Sequence, residues 1–284
     1  MSVELMEGAR PMKLSCLPVS FFGALTTGEM NFPELAKLAS SLGIIAVDLG
    51  VRIFRGKEVK LFREVRGQIE DEGIKVAGIM AYPDFVNPDA QTREEEMSLF
   101  EQDLVLAREL GAEYIRVTAG KSNTEITREQ GIEMAAEGVL RAVEMAKGYG
   151  IDVLFEHHGK PSVWNCPDFN LPIDIFLDIF EKIKHAELGI LFDTANPMVY
   201  GADPMPFLEQ VYDRVRCVHI SDIKTKGEQE MTVIGTGIVP IKDVLSYLKH
   251  RGYSGWISLE EVSHTGYAGV EKAVETVNSI WENC

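Results

Sequence analysis

The fold this sequence predicts is a single closed (β/α)8 TIM barrel of the α/β class. Three observations carry that expectation. The chain has 284 residues, near the ~250 typical of the fold. A glycine-punctuated repeat runs down it, and eight apolar runs alternate with helical patterns. Gly43 precedes IIAVDLG, Gly73 precedes IKVAGIM, Gly111 precedes AEYIRVTA, Gly150 precedes IDVLFEHH and Gly189 precedes ILFDTA, with spacings of 30, 38, 39 and 39 residues. Each glycine follows a segment with helical spacing of apolar residues, such as FPELAKLASSL. Just past a helix end the backbone turns left-handed, which favours glycine. The repeating unit is therefore helix, glycine stop, buried strand, loop. Units of this length build parallel sheet, because parallel neighbours need a helical crossover.

In chain order, strands are predicted at 12–18, 44–50, 75–81, 113–119, 152–158, 189–194, 215–221 and 255–261. Helices are predicted near 33–42, 58–72, 92–110, 127–149, 172–184, 204–213, 241–250 and 267–281. No GxGxxG turn follows the first strand, so closure is favoured over a doubly wound sheet. No linker or low-complexity segment divides the chain, and one domain is expected over 1–284. Its first eleven residues, MSVELMEGARP, lack the basic start and apolar run of a signal peptide and read as a short leader.

The formal charge of 28 − 44 = −16 repels phosphate backbones, so nucleic acid is not an expected partner. No apolar run is long enough to span a membrane. Cys16, Cys166, Cys217 and Cys284 lack CxxC spacing, which reads as a reduced, cytoplasmic protein. Cys16 and Cys217 lie in apolar runs and read as core fillers. A small molecule is the expected partner, and a homo-oligomer is left open.

Enzymes on this fold keep their chemistry at the C-terminal strand ends. There, strand 5 ends in Glu156-His157-His158, strand 6 in Asp193, strand 7 in His219 and strand 8 in Glu260-Glu261. Burying one such group without a partner costs several kcal/mol, so four successive strands ending this way need a shared explanation. Period-two alternation turns Ile257, Leu259 and Glu261 to the helices and Glu260 inward. On strand 7 it turns Cys217, His219 and Ser221 inward. Strand 5 is ambiguous, because Leu154 and Phe155 are both apolar; if Leu154 lines the barrel, so do Glu156 and His158. Carboxylates with one imidazole suit a single Mn²⁺, Mg²⁺, Co²⁺ or Zn²⁺ ion, and the lack of thiolates argues against structural zinc. A lone His or Asp at a strand end is more often a hydrogen-bonded cap than a ligand. The conjunction over four strands is what points to a metal.

From about Lys13 to Val277 the sequence resembles the xylose isomerase-like family of sugar (phosphate) isomerases and epimerases. LSCLPVS and ELAKLASSLGIIAVDL resemble the opening of that family. LFEHHG, LFDTANP, VHISDIK, IGTGIVP and GYSGWISLEEV resemble its metal-bearing strands and the GxG loop after strand 7. The resemblance implies Glu156, Asp193, His219 and Glu260 as metal ligands, with Glu156 and Glu260 as acid/base groups on opposite faces of a sugar. It implies isomerase or epimerase chemistry by proton abstraction through an enediolate. Two positions depart from the ketose 3-epimerase pattern: Asn196 replaces a histidine, and Lys224 and Lys226 stand where those enzymes place an arginine. Asn196 and Lys226, with His158, are expected to contact substrate. A sugar acid, an inosose or a ketose phosphate fits as well as a free ketose.

The alternative on the same barrel is a metal-dependent dehydratase of an inosose or dehydroshikimate-like ring, which shares the first proton abstraction. A phosphodiesterase of the endonuclease IV type needs more histidines than the six present, and a non-catalytic scaffold need not keep all four ligands. Asp48 is expected to line the mouth or cap the loop after strand 2, and Arg116 to pair with carboxylates inside the barrel. Gly235 and Gly237 either leave room for a phosphate or permit a tight loop. Trp164 and Phe169 are expected to cover the substrate or a neighbouring subunit.

Overall fold

The computed structural model describes residues 12–159 and 164–284. Eight parallel strands close on themselves in sequence order: β1 (Lys13–Leu17), β2 (Ala46–Gly50), β3 (Lys75–Met80), β4 (Tyr114–Val117), β5 (Asp152–Glu156), β6 (Gly189–Asp193), β7 (Val215–Ile220) and β8 (Trp256–Glu260). β1 pairs with β8 through five registered positions, from Lys13↔Trp256 to Leu17↔Glu260. The helices are α1 (Phe22–Thr27), α2 (Phe32–Ser41), α3 (Val59–Glu70), α4 (Ala90–Leu110), α5 (Arg128–Lys147), α6 (Ile173–Ile183), α7 (Asn196–Val199), α8 (Pro204–Val211), α9 (Ile241–His250) and α10 (Tyr267–Asn283). The eight predicted strands and eight predicted helices are all present, mostly a residue or two shorter at their ends. The leader assigned to residues 1–11 lies outside the described residues. Among the described residues, no helix is long and apolar enough to cross a membrane.

Local chemistry explains the helix boundaries. Asn31 and Glu34 form a reciprocal capping box at the start of α2, and Thr127 with Gln130 does the same for α5, each satisfying two otherwise orphaned N–H groups. Gly43, Gly73, Gly111 and Gly150 adopt φ of 68° to 75°, as a left-handed stop requires. Gly189 does not behave as a stop. It is the first residue of β6, where a side chain would collide with Leu154 and Arg216. The two elements the periodicity missed, α1 and α7, have six and four residues, too few to show a 3.6-residue repeat.

The strand pleat divides the core in two. Ile257, Leu259, Val218 and Ile220 pack outward in the large layer between sheet and helices. Leu17, Ala46, Ala77, Met80, Leu154, Leu191, Cys217 and Trp256 form a second cluster inside the barrel. Asp48 belongs to that interior, which corrects its placement at the mouth or in a loop. Its carboxylate accepts hydrogen bonds from Ser15 (3.0 Å), Tyr114 (2.9 Å) and Ser258, so a fully buried carboxylate is satisfied across the barrel interior from β1, β4 and β8.

Candidate metal centre at the barrel mouth

The site is built by strand ends at one rim. β5, β6 and β8 end at Glu156, Asp193 and Glu260, and β7 carries His219 one residue before its end. Asp193 and His219 face each other across β6 and β7. One ligand atom each from Glu156, Asp193 and His219 lies within 4.8 Å of the others. Three donors evenly spread around one ion at ~2.0–2.2 Å stand about 3.8 Å apart at most, so the three would close in by up to about an ångström to share one ion. Glu260 stands beside them, with Oε2 3.4 Å from His219 Nδ1.

On β5, Leu154 lies inside the barrel and Phe155 stacks on Phe176 of α6 at 4.9 Å. Glu156 and His158 therefore turn inward. His157 turns out between Phe176 and Phe207. Burial holds its pKa down at about 4, and the neutral ring sits with Nε2 2.7 Å from Leu171 O.

Asp193 is fixed from both sides. Its Oδ1 accepts from the N–H groups of Ala195 (2.9 Å) and Asn196 (2.6 Å), and its Oδ2 accepts from Ser221 Oγ (2.8 Å). Asn196 is fully buried, and its Nδ2 donates to His157 O (3.0 Å) and Glu156 Oε1 (3.4 Å). The side chain expected to meet substrate is thus turned toward a candidate ligand. Arg116 reaches the other Glu156 oxygen, with Nε 2.9 Å from Oε2, while its guanidinium lies 4.1 Å from the Tyr82 ring centroid.

Electrostatics favour a cation here. Glu156, Asp193 and Glu260 bring three carboxylates against Arg116, leaving −3 + 1 = −2 when His219 is neutral. A divalent ion brings that sum to zero, and a buried uncompensated charge is costly. Without an ion, burial would lower the His219 pKa, yet its contacts with Cys217 and Glu260 overcome this and hold it well above the ordinary value, so an entering ion would displace that proton before the neutral ring could ligate. The donor set, three carboxylates with one imidazole and no thiolate, therefore fits a single hard or borderline divalent ion.

Beside this centre, His158 Nδ1 lies 3.0 Å from Asp168 Oδ2. Asp168 also accepts from Trp164 Nε1 at 3.0 Å. Burial lowers the His158 pKa, and the neighbouring Asp168 carboxylate more than reverses this. Sequence reasoning missed Asp168, because a loop rather than a strand end delivers it. Tyr82 was missed as well; its ring packs edge-on to His158 at 5.7 Å. Phe169 is buried against Gly131 of α5. A cavity of about 830 Å³ opens over the mouth, with His158, Glu260, Tyr82 and Arg52 in its lining.

Two other expectations concern the loop after β7. Lys226 is exposed in the loop after β7 and is absent from that lining. The GxG loop holds no open phosphate cradle, since Asp222 already fills it. The Asp222 carboxylate accepts from the N–H groups of Gly235 (2.9 Å), Gly237 (2.8 Å) and Val239 (3.1 Å). A Cβ on Gly237 would strike that carboxylate and the Ile223 carbonyl, so close approach explains the glycine. Glu261, the neighbour of Glu260, points away from the ligands and accepts from Ser263 N at 2.9 Å.

Residues 36–280 match the family model described as "Xylose isomerase-like TIM barrel". The chain belongs to the xylose isomerase-like TIM-barrel family. Among relatives of this xylose isomerase-like barrel, the inosose dehydratase of Salmonella agona (strain SL483) is 27% identical over 144 residues, 45% of this chain and 46% of that protein. In that match the chain spans about half the length of the curated relative. The inosose dehydratase of Geobacillus thermodenitrificans (strain NG80-2) is 20% identical over 286 residues, 90% of this chain and 91% of the other. Among solved structures, the probable 3-DHS dehydratase AsbF of Bacillus anthracis superposes with a TM-score of 0.77 at 18% identity, covering 94% and 99% of the two chains. The IOLI protein with a binding zinc atom superposes at 0.75 with 17% identity, covering 96% and 99%. These two likenesses establish the shared barrel.

Proposed function

We propose that this protein is a metal-dependent dehydratase of a polyhydroxylated keto ring. The observation that carries the reading is the convergence of Glu156, Asp193 and His219 donor atoms within 4.8 Å, with Glu260 alongside. Glu156, Asp193, His219 and Glu260 would hold a divalent ion, Mn²⁺, Mg²⁺, Co²⁺ or Zn²⁺, which would supply the Lewis acidity that polarises a substrate carbonyl and acidifies the adjacent C–H. Glu260, which reaches the cavity, removes that proton. His158, oriented by Asp168, donates the proton with which the hydroxyl on the next carbon departs as water. Glu156 lies across the barrel from Glu260, held by Arg116 and Asn196 as a ligand and acid/base partner.

The isomerase or epimerase expected from the resemblance shares the first proton abstraction and differs only in returning the proton. Dehydration is favoured because the inosose dehydratases match by sequence, one of them over 90% of this chain. The occupied Asp222 cradle supports an unphosphorylated substrate.

The test is incubation of the metal-loaded protein with an inosose in D₂O. Dehydration yields a product lighter by one water and a new ultraviolet absorbance. A stereoisomer or ketose–aldose partner that keeps the same skeleton and has taken up deuterium would replace the lyase by an epimerase or isomerase. No exchange into a panel of inososes and ketoses, free or carrying an alkyl or aryl substituent, would remove both.

A further inference from the structure

The mouth of this barrel has two unlike halves. Its β5–β8 side carries the carboxylates and His219. On the β1–β3 side the apolar cluster inside the barrel, including Leu17 and Met80, continues upward into Val19, Phe22 and Tyr82. Phe22, at the start of α1, packs over Gly50 at the end of β2, where a Cβ would come within 3.1 Å of its ring. The lining goes on through Val51 and Ile53, and through Met231 and Val262 from the loops after β7 and β8, with Thr26, Arg52, Glu230 and His264 among them, and the same cavity reaches Glu260 and His158. Val19, Phe22, Met231 and Val262 are only half-buried, so this wall presents apolar surface to whatever occupies the mouth.

A free sugar or cyclitol matches half of such a site. Its hydroxyls suit the charged side, but on the other they would hold water against Phe22 and Val19, losing the gain from burying that surface. Size points the same way. About 830 Å³ is room for more than twenty waters at ~30 Å³ each, and a single six-membered ring displaces only a fraction of them. We infer that the substrate is a keto-sugar ring bearing an apolar aryl or alkyl substituent, with the ring at Glu260 and the substituent against Val19, Phe22 and Val262. This rests on the proton-abstraction reading above for the ring end, and on the cavity alone for the apolar end.

The experiment compares methyl and phenyl 3-ketoglucopyranosides as probes on the metal-loaded full chain. Calorimetric affinity and α-proton exchange in D₂O are both measured. The phenyl compound is expected to bind about tenfold or more tighter, the scale of discrimination that an apolar pocket provides. Phe22→Ala, and separately Val19→Ser, should shrink that ratio by weakening the phenyl compound, with each variant's fold checked by thermal melting. Equal affinities for the two probes in the wild-type protein would overturn the inference. So would a ratio that neither variant changes. Tighter phenyl binding without exchange into either probe would uphold the apolar subsite and count against the chemistry proposed for the ring.

Discussion

Arg116 Nε lies 2.9 Å from Glu156 Oε2, and both side chains are almost wholly buried. This contact explains how the carboxylate of β5 is tolerated before any ion arrives. Breaking a buried pair by removing one partner typically costs about 3–5 kcal/mol. Arg116→Met should lose stability on that scale in metal-free protein and markedly less in metal-loaded protein, where the ion takes over Glu156. Urea unfolding with and without saturating Mn²⁺ checks this. An equal loss in both states would separate Glu156 from the metal.

Glu260→Gln keeps a ligand oxygen and the side-chain volume but removes the proposed base. Turnover in the D₂O assay should fall by ~10²–10⁴ while metal binding weakens without disappearing. Glu261→Gln should leave turnover close to wild type, because Glu261 faces Ser263 and Gly269 rather than the ligands. If Glu261→Gln were the crippling change, the catalytic assignment on β8 would move by one residue.

Asp222→Ala removes the acceptor shared by three amides of the loop after β7 and by Ile223 N (3.0 Å). Leaving buried N–H groups unsatisfied costs about 1–3 kcal/mol each, with water recovering part at this rim. A loss of about 2–4 kcal/mol is expected, together with faster hydrogen exchange at Gly235 and Gly237. If the variant instead bound inorganic phosphate at this loop with no loss of stability, the acceptor role would be wrong.

How much of this was legible from sequence differs by kind of residue. Glu156, Asp193, His219 and Glu260 sit at strand ends, where the glycine repeat gives the level; period-two alternation gives the face of His219 and Glu260 but leaves Glu156 open, because Leu154 and Phe155 are both apolar. Asp168, Tyr82 and Asp222 come from loops, where no period constrains direction, and their partners are 10 to 76 residues away. Asn196 and Lys226 were placed by resemblance alone. The fold turned one onto Glu156 and left the other in solvent. Asp48 looked like a rim residue because it falls near a strand end, but β2 carries a register shift between Val47 and Asp48, and the side chain meets Ser15 and Ser258 inside.

Away from the site, Asp103 of α4 is buried and makes a bidentate pair with Arg55. Burial raises its pKa from 3.8 to about 6, against the pull of Arg55 and with some help from Glu96. Between about pH 4 and 6 the folded chain therefore retains a proton that the unfolded chain has released. This residue's contribution to stability is then present at low pH and falls as pH rises through that window, by about 3 kcal/mol at most. Asp103→Asn should flatten the difference, as read from urea midpoints at pH 4.5 and 6.5. An identical pH slope in both proteins would refute the assignment.

The most direct test of the metal centre is elemental analysis of protein dialysed against buffer containing trace Mn²⁺, Mg²⁺, Co²⁺ and Zn²⁺. Wild type, Asp193→Ala and His219→Ala are compared, each shown by circular dichroism to be folded. About one divalent ion per wild-type chain and almost none in either variant is the predicted result. An ion-free wild type, or variants that keep the ion as tightly, would contradict the account.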